Sequence, residues 1–367
     1  MFYIVGWICG IAVTCGLAGW LYQTLGTRRD RKCFPPPGRL VDIGTHRLHL
    51  FESGQRGPTV VLEAGLMSTL LSWTELQRGL SQSFRVVSYD RAGLGWSDAG
   101  PMPRTSDRIV DELHALLCRA GVPPPYILVG HSFGGLTMPL FAIRYAQETA
   151  GVVLVDPVAP TEWNPPSEHN RKLTRIGAAV CRRAAFLSRI GLTRFVAFLL
   201  STRLKKVAAS VIRLISRGAP GESGTVSSPW FSALPPQERE MAAIFWIQEK
   251  FAVTIASQLE NLPASAAELA NFTSICDKSV IILSAKTSPV HRRTEHASMA
   301  DQLPHGKFIS AENSGHWIMQ DQPELVIQAI QKLADSAFRA ENPRVTASAN
   351  PVPEELAQPQ QAEAAST

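Results

Sequence analysis

The stretch Tyr126-Ile-Leu-Val-Gly-His-Ser-Phe-Gly-Gly135 constrains this chain more than any other. An unbroken apolar run enters a turn with a glycine two positions before and two positions after one serine, and a helix-patterned segment follows. A run of that kind is a strand buried on both faces, which places it in a parallel sheet covered by helices. Gly130-x-Ser132-x-Gly134 then has both the spacing and the flanks of a nucleophile elbow. The turn forces its serine into strained backbone, and neighbours two residues away must lack a side chain. One hydroxyl is lifted above the sheet at a helix N-terminus, where the dipole favours developing negative charge. Ser132 is the candidate nucleophile.

The rest of the chain repeats the alternation. Short β-branched runs are read as strands at 39–43, 48–52, 59–63, 85–89, 126–129, 152–155, 280–283 and 307–309, with helical patterns between them. The expected fold class is α/β: a mostly parallel eight-stranded sheet with helices on both faces. More than a hundred residues separate Asp156 from Lys278, too many for one crossover, so a helical cap is expected after the sixth strand. The expected division is a membrane anchor at 1–27, a basic and proline-rich linker at 28–38 and a first core part at 39–157. A cap at 158–278, a second core part at 279–340 and a disordered tail at 341–367 complete it, the tail being rich in Ala, Pro, Gln and Glu.

A serine hydroxyl needs a base to remove its proton. Of the nine histidines, His316 is best placed, in a polar loop after the last strand and just before a proline-initiated helix. His131 is expected to point away from its serine neighbour, and it and His291, His296 and His305 are read as solvated.

Several stretches together resemble the α/β-hydrolase superfamily over roughly residues 39–338: "VVLEAGL", "VVSYDRAGLGWSD", "LVGHSFGG", "VVLVDP" and "SGHWIMQDQPELV". The resemblance implies a triad in the order nucleophile, acid, histidine. It also implies that Asp90 and Arg91 are structural. The usual acid position, after the seventh strand, reads Ser284-Ala-Lys-Thr-Ser-Pro289 and offers no carboxylate. Some members carry the acid after the preceding strand, which here is Asp156. A carboxylate there would hold the imidazole tautomer and stabilise its positive charge. A capping role for Asp156 is the alternative, with Glu295 and Asp277 as further acid candidates. By the same resemblance the oxyanion donors are the backbone N–H groups of Phe133 and of Leu66, or of Met67 in its place.

This reading implies a serine hydrolase of carboxylic esters, hydrophobic or lipid-like, working through an acyl-enzyme. Thioester hydrolysis, C–C hydrolysis and aminopeptidase activity use the same machinery, and a non-catalytic binding module is the rival of a different class. Haloalkane dehalogenases and epoxide hydrolases resemble this fold but need an aspartate where Ser132 stands. No cofactor is implied. The six cysteines show no metal-ligand or disulfide spacing, so no metal is expected.

Phe2 to Gly26 contains no charged side chain and is long enough to cross a bilayer as a helix; it is read as a retained anchor, with a cleaved signal peptide or a buried helix as the alternatives. Arg28, Arg29, Arg31 and Lys32 follow it, which sets the catalytic part on the cytoplasmic side of a single-pass membrane protein. Gly6 and Gly10 form a small-residue pair through which two anchors could meet as a homodimer. The formal charge of +5 is concentrated: residues 161–220 hold twelve Lys or Arg and two acidic residues among apolar groups. That pattern suits an anionic membrane surface or, equally, a solvated cap whose apolar face covers the active site, and a nucleic-acid partner is not expected.

Overall fold

Every second residue of a buried strand faces the same helical layer, so the apolar runs must serve two cores at once. The computed structural model describes residues 2–201, 231–232, 234–269, 272–275 and 277–339, and it shows this arrangement. Strands β1 (Arg39–Asp42), β2 (Arg47–Ser53), β3 (Thr59–Glu63), β4 (Arg85–Asp90), β5 (Tyr126–His131), β6 (Thr149–Val155), β7 (Ser279–Ala285) and β8 (Gly306–Ala311) form one eight-stranded sheet. Its order is β1-β2-β4-β3-β5-β6-β7-β8. The pairs β1–β2 and β2–β4 are antiparallel and all others parallel.

An N-terminal helix, α1 (Phe2–Cys33), precedes the sheet. The helices threaded through the sheet are α2 (Thr74–Leu80), α3 (Ser106–Ala120) and α4 (Gly134–Arg144). Between β6 and β7 lie α5 (Glu168–Arg189), α6 (Leu192–Ser201), α7 (Pro236–Trp246), α8 (Glu249–Glu260) and α9 (Leu262–Glu268). The chain continues through α10 (Val290–Asp301), α11 (Ile318–Asp321) and α12 (Pro323–Arg339). On one face Leu128, Val152, Leu154 and Ile282 pack against α3, α4, α9 and α10. On the other, Ile127, Val129, Val153 and Leu283 meet α2, α11 and α12. Adjacent residues of β5 thus feed opposite cores.

The helix α1 is long and apolar enough to span a membrane. It runs on through the basic residues Arg28, Arg29, Arg31 and Lys32. It continues to Cys33, because helix-breaking prolines start only at Pro35. Residues 202–230 of the expected cap and the tail 341–367 lie outside the described residues.

Candidate active site

The site grows from the carboxyl ends of β3, β5 and β6. At the elbow Ser132 has φ 51°, the left-handed region. The turn is held by Ser132 N–H donating to Val155 O (3.1 Å), and by Gly135 and Val158 N–H donating to Ser132 O (2.8 and 2.9 Å). A Cβ at Gly130 would overlap the Gly134 carbonyl, and one at Gly134 would come 2.9 Å from Glu63 Cγ. The two glycines are therefore steric necessities here. Phe133 follows the serine, buried, at the start of α4.

Asp156 directly follows β6, also at positive φ (42°). Its Oδ1 accepts from Ala285 N–H at 3.0 Å, and the Ser288 hydroxyl reaches both carboxylate oxygens at 2.9 Å. Its Oδ2 faces His316 Nδ1 at 2.6 Å. Burial opposes the charge on Asp156, but the His316 hydrogen bond and charge outweigh it, with help from Ala285 N–H and the Ser288 hydroxyl. They hold the carboxyl at about 2. The alternative acids are engaged elsewhere: Glu295 accepts from Thr161, and Asp277 pairs with Lys278.

His131 does not point into solvent. It is fully buried, and its Nε2–H donates to the His316 backbone carbonyl at 3.0 Å. Its ring centroid lies 4.6 Å from that of His316 and 4.5 Å from that of Trp317. Nδ1 is buried without a partner among the described residues, so a second proton there would have no acceptor. Burial accordingly drives the imidazole far below its usual range. His296 is buried too, bridging Ser284 Oγ (2.8 Å) and Pro157 O (2.9 Å). Only His291 and His305 of that group are exposed. The charged flanks of His296 misled because α10 turns this position inward along with Met299 and Ala300, against Ser284 of β7.

The turn after β3 is the third component. Ser68 N–H closes it on Gly65 O (3.2 Å), leaving Leu66 and Met67 at its centre, Met67 with φ 61°. A Cβ on Gly65 would stand 2.8 Å from His131 Nδ1 and 3.2 Å from Ser132 Cβ, so this backbone lies directly against the serine. The resemblance made Arg91 structural, but sequence reasoning missed Glu63 and the turn that the pair supports. Arg91 donates to Glu63 Oε1 (2.5 Å), Ala64 O (2.5 Å) and Gly65 O (2.6 Å), and its guanidinium covers the Phe133 ring at 5.2 Å. Tyr89 donates to the other oxygen of Glu63. Burial pushes the Glu63 carboxyl up, while Arg91 and Tyr89 pull it back toward the charged form. A lone glutamate at the end of Thr-Val-Val-Leu-Glu was the available signal, since a carboxylate ending a buried strand must find a partner.

Above this arrangement Leu66, Met67 and Trp317 join an apolar cluster with Leu70, Leu94, Trp96, Phe245 of α7 and Ile255 of α8.

Comparison with known proteins decides the family. The model described as "Alpha/beta hydrolase family" matches residues 60–329. The chain belongs to the alpha/beta hydrolase family, and it is an enzyme of that family. It is 27% identical over 312 residues to an "AB hydrolase superfamily protein" of Gibberella zeae, covering 75% of this chain and 86% of that relative. A "Probable transporter efuK" of Hormonema carpetanum is 39% identical over 135 residues, which span 35% of this hydrolase and only 19% of that protein. Among solved structures, the enol-lactonase from Burkholderia xenovorans LB400 matches the fold with TM-score 0.53 at 18% identity, over 80% of this chain and 99% of that one.

Proposed function

We propose that this hydrolase cleaves hydrophobic carboxylic esters through an acyl-enzyme formed on Ser132, and that α1 holds it in a membrane with the catalytic part on the cytoplasmic side. The observation that carries the reading is the hydrogen bond from His316 Nδ1 to the buried Asp156, next to an elbow that presents Ser132. Asp156 fixes the tautomer in which Nε2 is the free base. Ser132 Oγ attacks the ester carbonyl carbon while its proton passes to Nε2 of His316. The negative charge that gathers on the carbonyl oxygen is met by the N–H of Phe133 and of Leu66. Collapse breaks the ester C–O bond, and the departing alcohol takes the proton from His316. Water, deprotonated by the same imidazole, then releases the acid and restores Ser132.

The apolar cluster joining Leu66, Met67 and Trp317 to α7 and α8 supports a hydrophobic acyl or alcohol group. A serine at the elbow supports acyl transfer over the alkyl-ester chemistry of an aspartate nucleophile. The exposed apolar surface of Phe2–Ala18, followed by Arg28, Arg29, Arg31 and Lys32, supports the anchor and its orientation. A fluorophosphonate probe tests the chemistry: it labels the native protein and leaves Ser132→Ala unlabelled. A folded native protein that resists the probe and hydrolyses no ester of any chain length overturns the acyl-enzyme on Ser132.

A further inference from the structure

The cap and the N-terminal helix are joined at one level. Gly19 of α1 lies against the Ile190–Gly191 turn that links α5 to α6, so closely that a Cβ on Gly19 would overlap Ile190 O. The reverse is also tight, since a Cβ on Gly191 would come 2.5 Å from Gly19 O. Below this contact Gln23 donates to Ile247 O at 3.1 Å and accepts from Arg194 at 3.1 Å. Arg194 also reaches Thr27 (3.3 Å) and Asp30 (2.6 Å), in an ion pair largely shielded from solvent. The lower half of α1 is therefore a structural part of the cap.

We infer that the cap surface around Phe186 and Phe195 docks into the boundary between headgroups and hydrocarbon of the leaflet from which α1 emerges. This inference rests on the reading of α1 as a membrane span. From Phe2 to Gly19 a helix rises about 26 Å, close to the thickness of a bilayer's apolar core. Trp20 and Tyr22, both exposed, fall where interfacial aromatic residues belong. The Ile190–Gly191 turn sits at that same level. Phe186 and Phe195 flank it by one helical turn each: Ile190 N–H bonds Phe186 O, and Phe195 N–H bonds Gly191 O. Phe186 is 62% and Phe195 48% exposed, an unusual display for phenylalanine beside a helix that needs lipid. Their rings would bury apolar area at the acyl boundary, as interfacial helices do. The active site is then held at fixed height over the leaflet, and its substrate is an ester carried in the membrane.

The test uses the full chain reconstituted in vesicles of phosphatidylcholine and phosphatidylglycerol. Photoreactive replacements Ile8→benzoylphenylalanine, Phe186→benzoylphenylalanine, Phe195→benzoylphenylalanine and, as an exposed control, Val290→benzoylphenylalanine are irradiated and read by mass spectrometry. Lipid adducts at 8, 186 and 195, roughly tenfold above those at 290, are expected. Adducts at 8 without any at 186 or 195 overturn the docking and leave the span intact. Equal adducts at 195 and 290 overturn it as well. No adduct at 8 removes the span, and the docking with it.

Discussion

Nδ1 of His316 stands 2.6 Å from Oδ2 of Asp156, although 160 positions of chain separate them. The geometry depends on a parallel sheet in which β6 ends beside β7, so that Asp156 also receives Ala285 N–H. Asp156→Asn keeps the volume and loses the charge that orients the imidazole. It is expected to lower kcat by on the order of 10³ to 10⁴ with KM little changed. Ser288→Ala removes one neutral donor to the same carboxylate and costs only a few-fold. Steady-state kinetics on a short-chain ester reads both, and equal effects of the two variants would take Asp156 out of its role.

Gly65 makes a separate prediction. A methyl group at this position meets His131 Nδ1 at 2.8 Å and Ser132 Cβ at 3.2 Å. The turn cannot retreat, because Arg91 grips its carbonyls. Gly65→Ala should therefore push the turn off the serine, slowing fluorophosphonate labelling by roughly 100-fold or more while costing about 1–3 kcal/mol of stability. Labelling at the native rate would mean that this backbone takes no part in binding the oxyanion.

Acid should destabilise the fold in two windows. His131 has its pKa depressed by burial, so on acidification the unfolded chain takes up a proton that the native one refuses. Stability is then intact above the unfolded value near 6.5 and falls by about 1.4 kcal/mol per pH unit below it. Asp156, held at about 2, acts lower: its contribution is complete above the unfolded carboxyl value and is lost as the pH drops from about 4 toward 2. Thermal midpoints of detergent-solubilised protein at pH 7 and pH 5 should separate clearly, and His131→Asn should shrink the gap.

What could be read in the sequence was whatever a local pattern enforces. The eight strands show as apolar runs, Ser132 by its glycines and His316 by its polar loop after the last strand, whereas Asp156 as a candidate acid came only from the family resemblance. His131 and His296 were misread because they find partners, the His316 and Pro157 carbonyls, in distant chain. The clamp of Arg91 on Ala64 and Gly65 spans 27 and 26 positions and leaves no periodic trace. The seating of Gly19 on Gly191 was equally hidden. The glycines that stood out instead, Gly6 and Gly10, have nothing within 4 Å where a Cβ would sit.

Arg91 gives the last prediction, because it separates positioning from mere stability. Its guanidinium holds the Ala64 and Gly65 carbonyls with its planar fork and neutralises Glu63 at 2.5 Å. Arg91→Met leaves a buried carboxylate without its cation, with only the Tyr89 hydroxyl as partner, and should cost roughly 3–5 kcal/mol, enough to lose the fold in a marginal protein. Arg91→Lys is the informative variant. An ammonium can still pair with Glu63, but it cannot hold both carbonyls in the geometry of the fork. The lysine protein should fold, keep its KM within about threefold and lose roughly 100-fold in kcat, since only the turn that meets the transition-state charge is loosened. A purely structural Arg91 would instead lower the melting temperature of the lysine variant and leave kcat of its folded fraction unchanged.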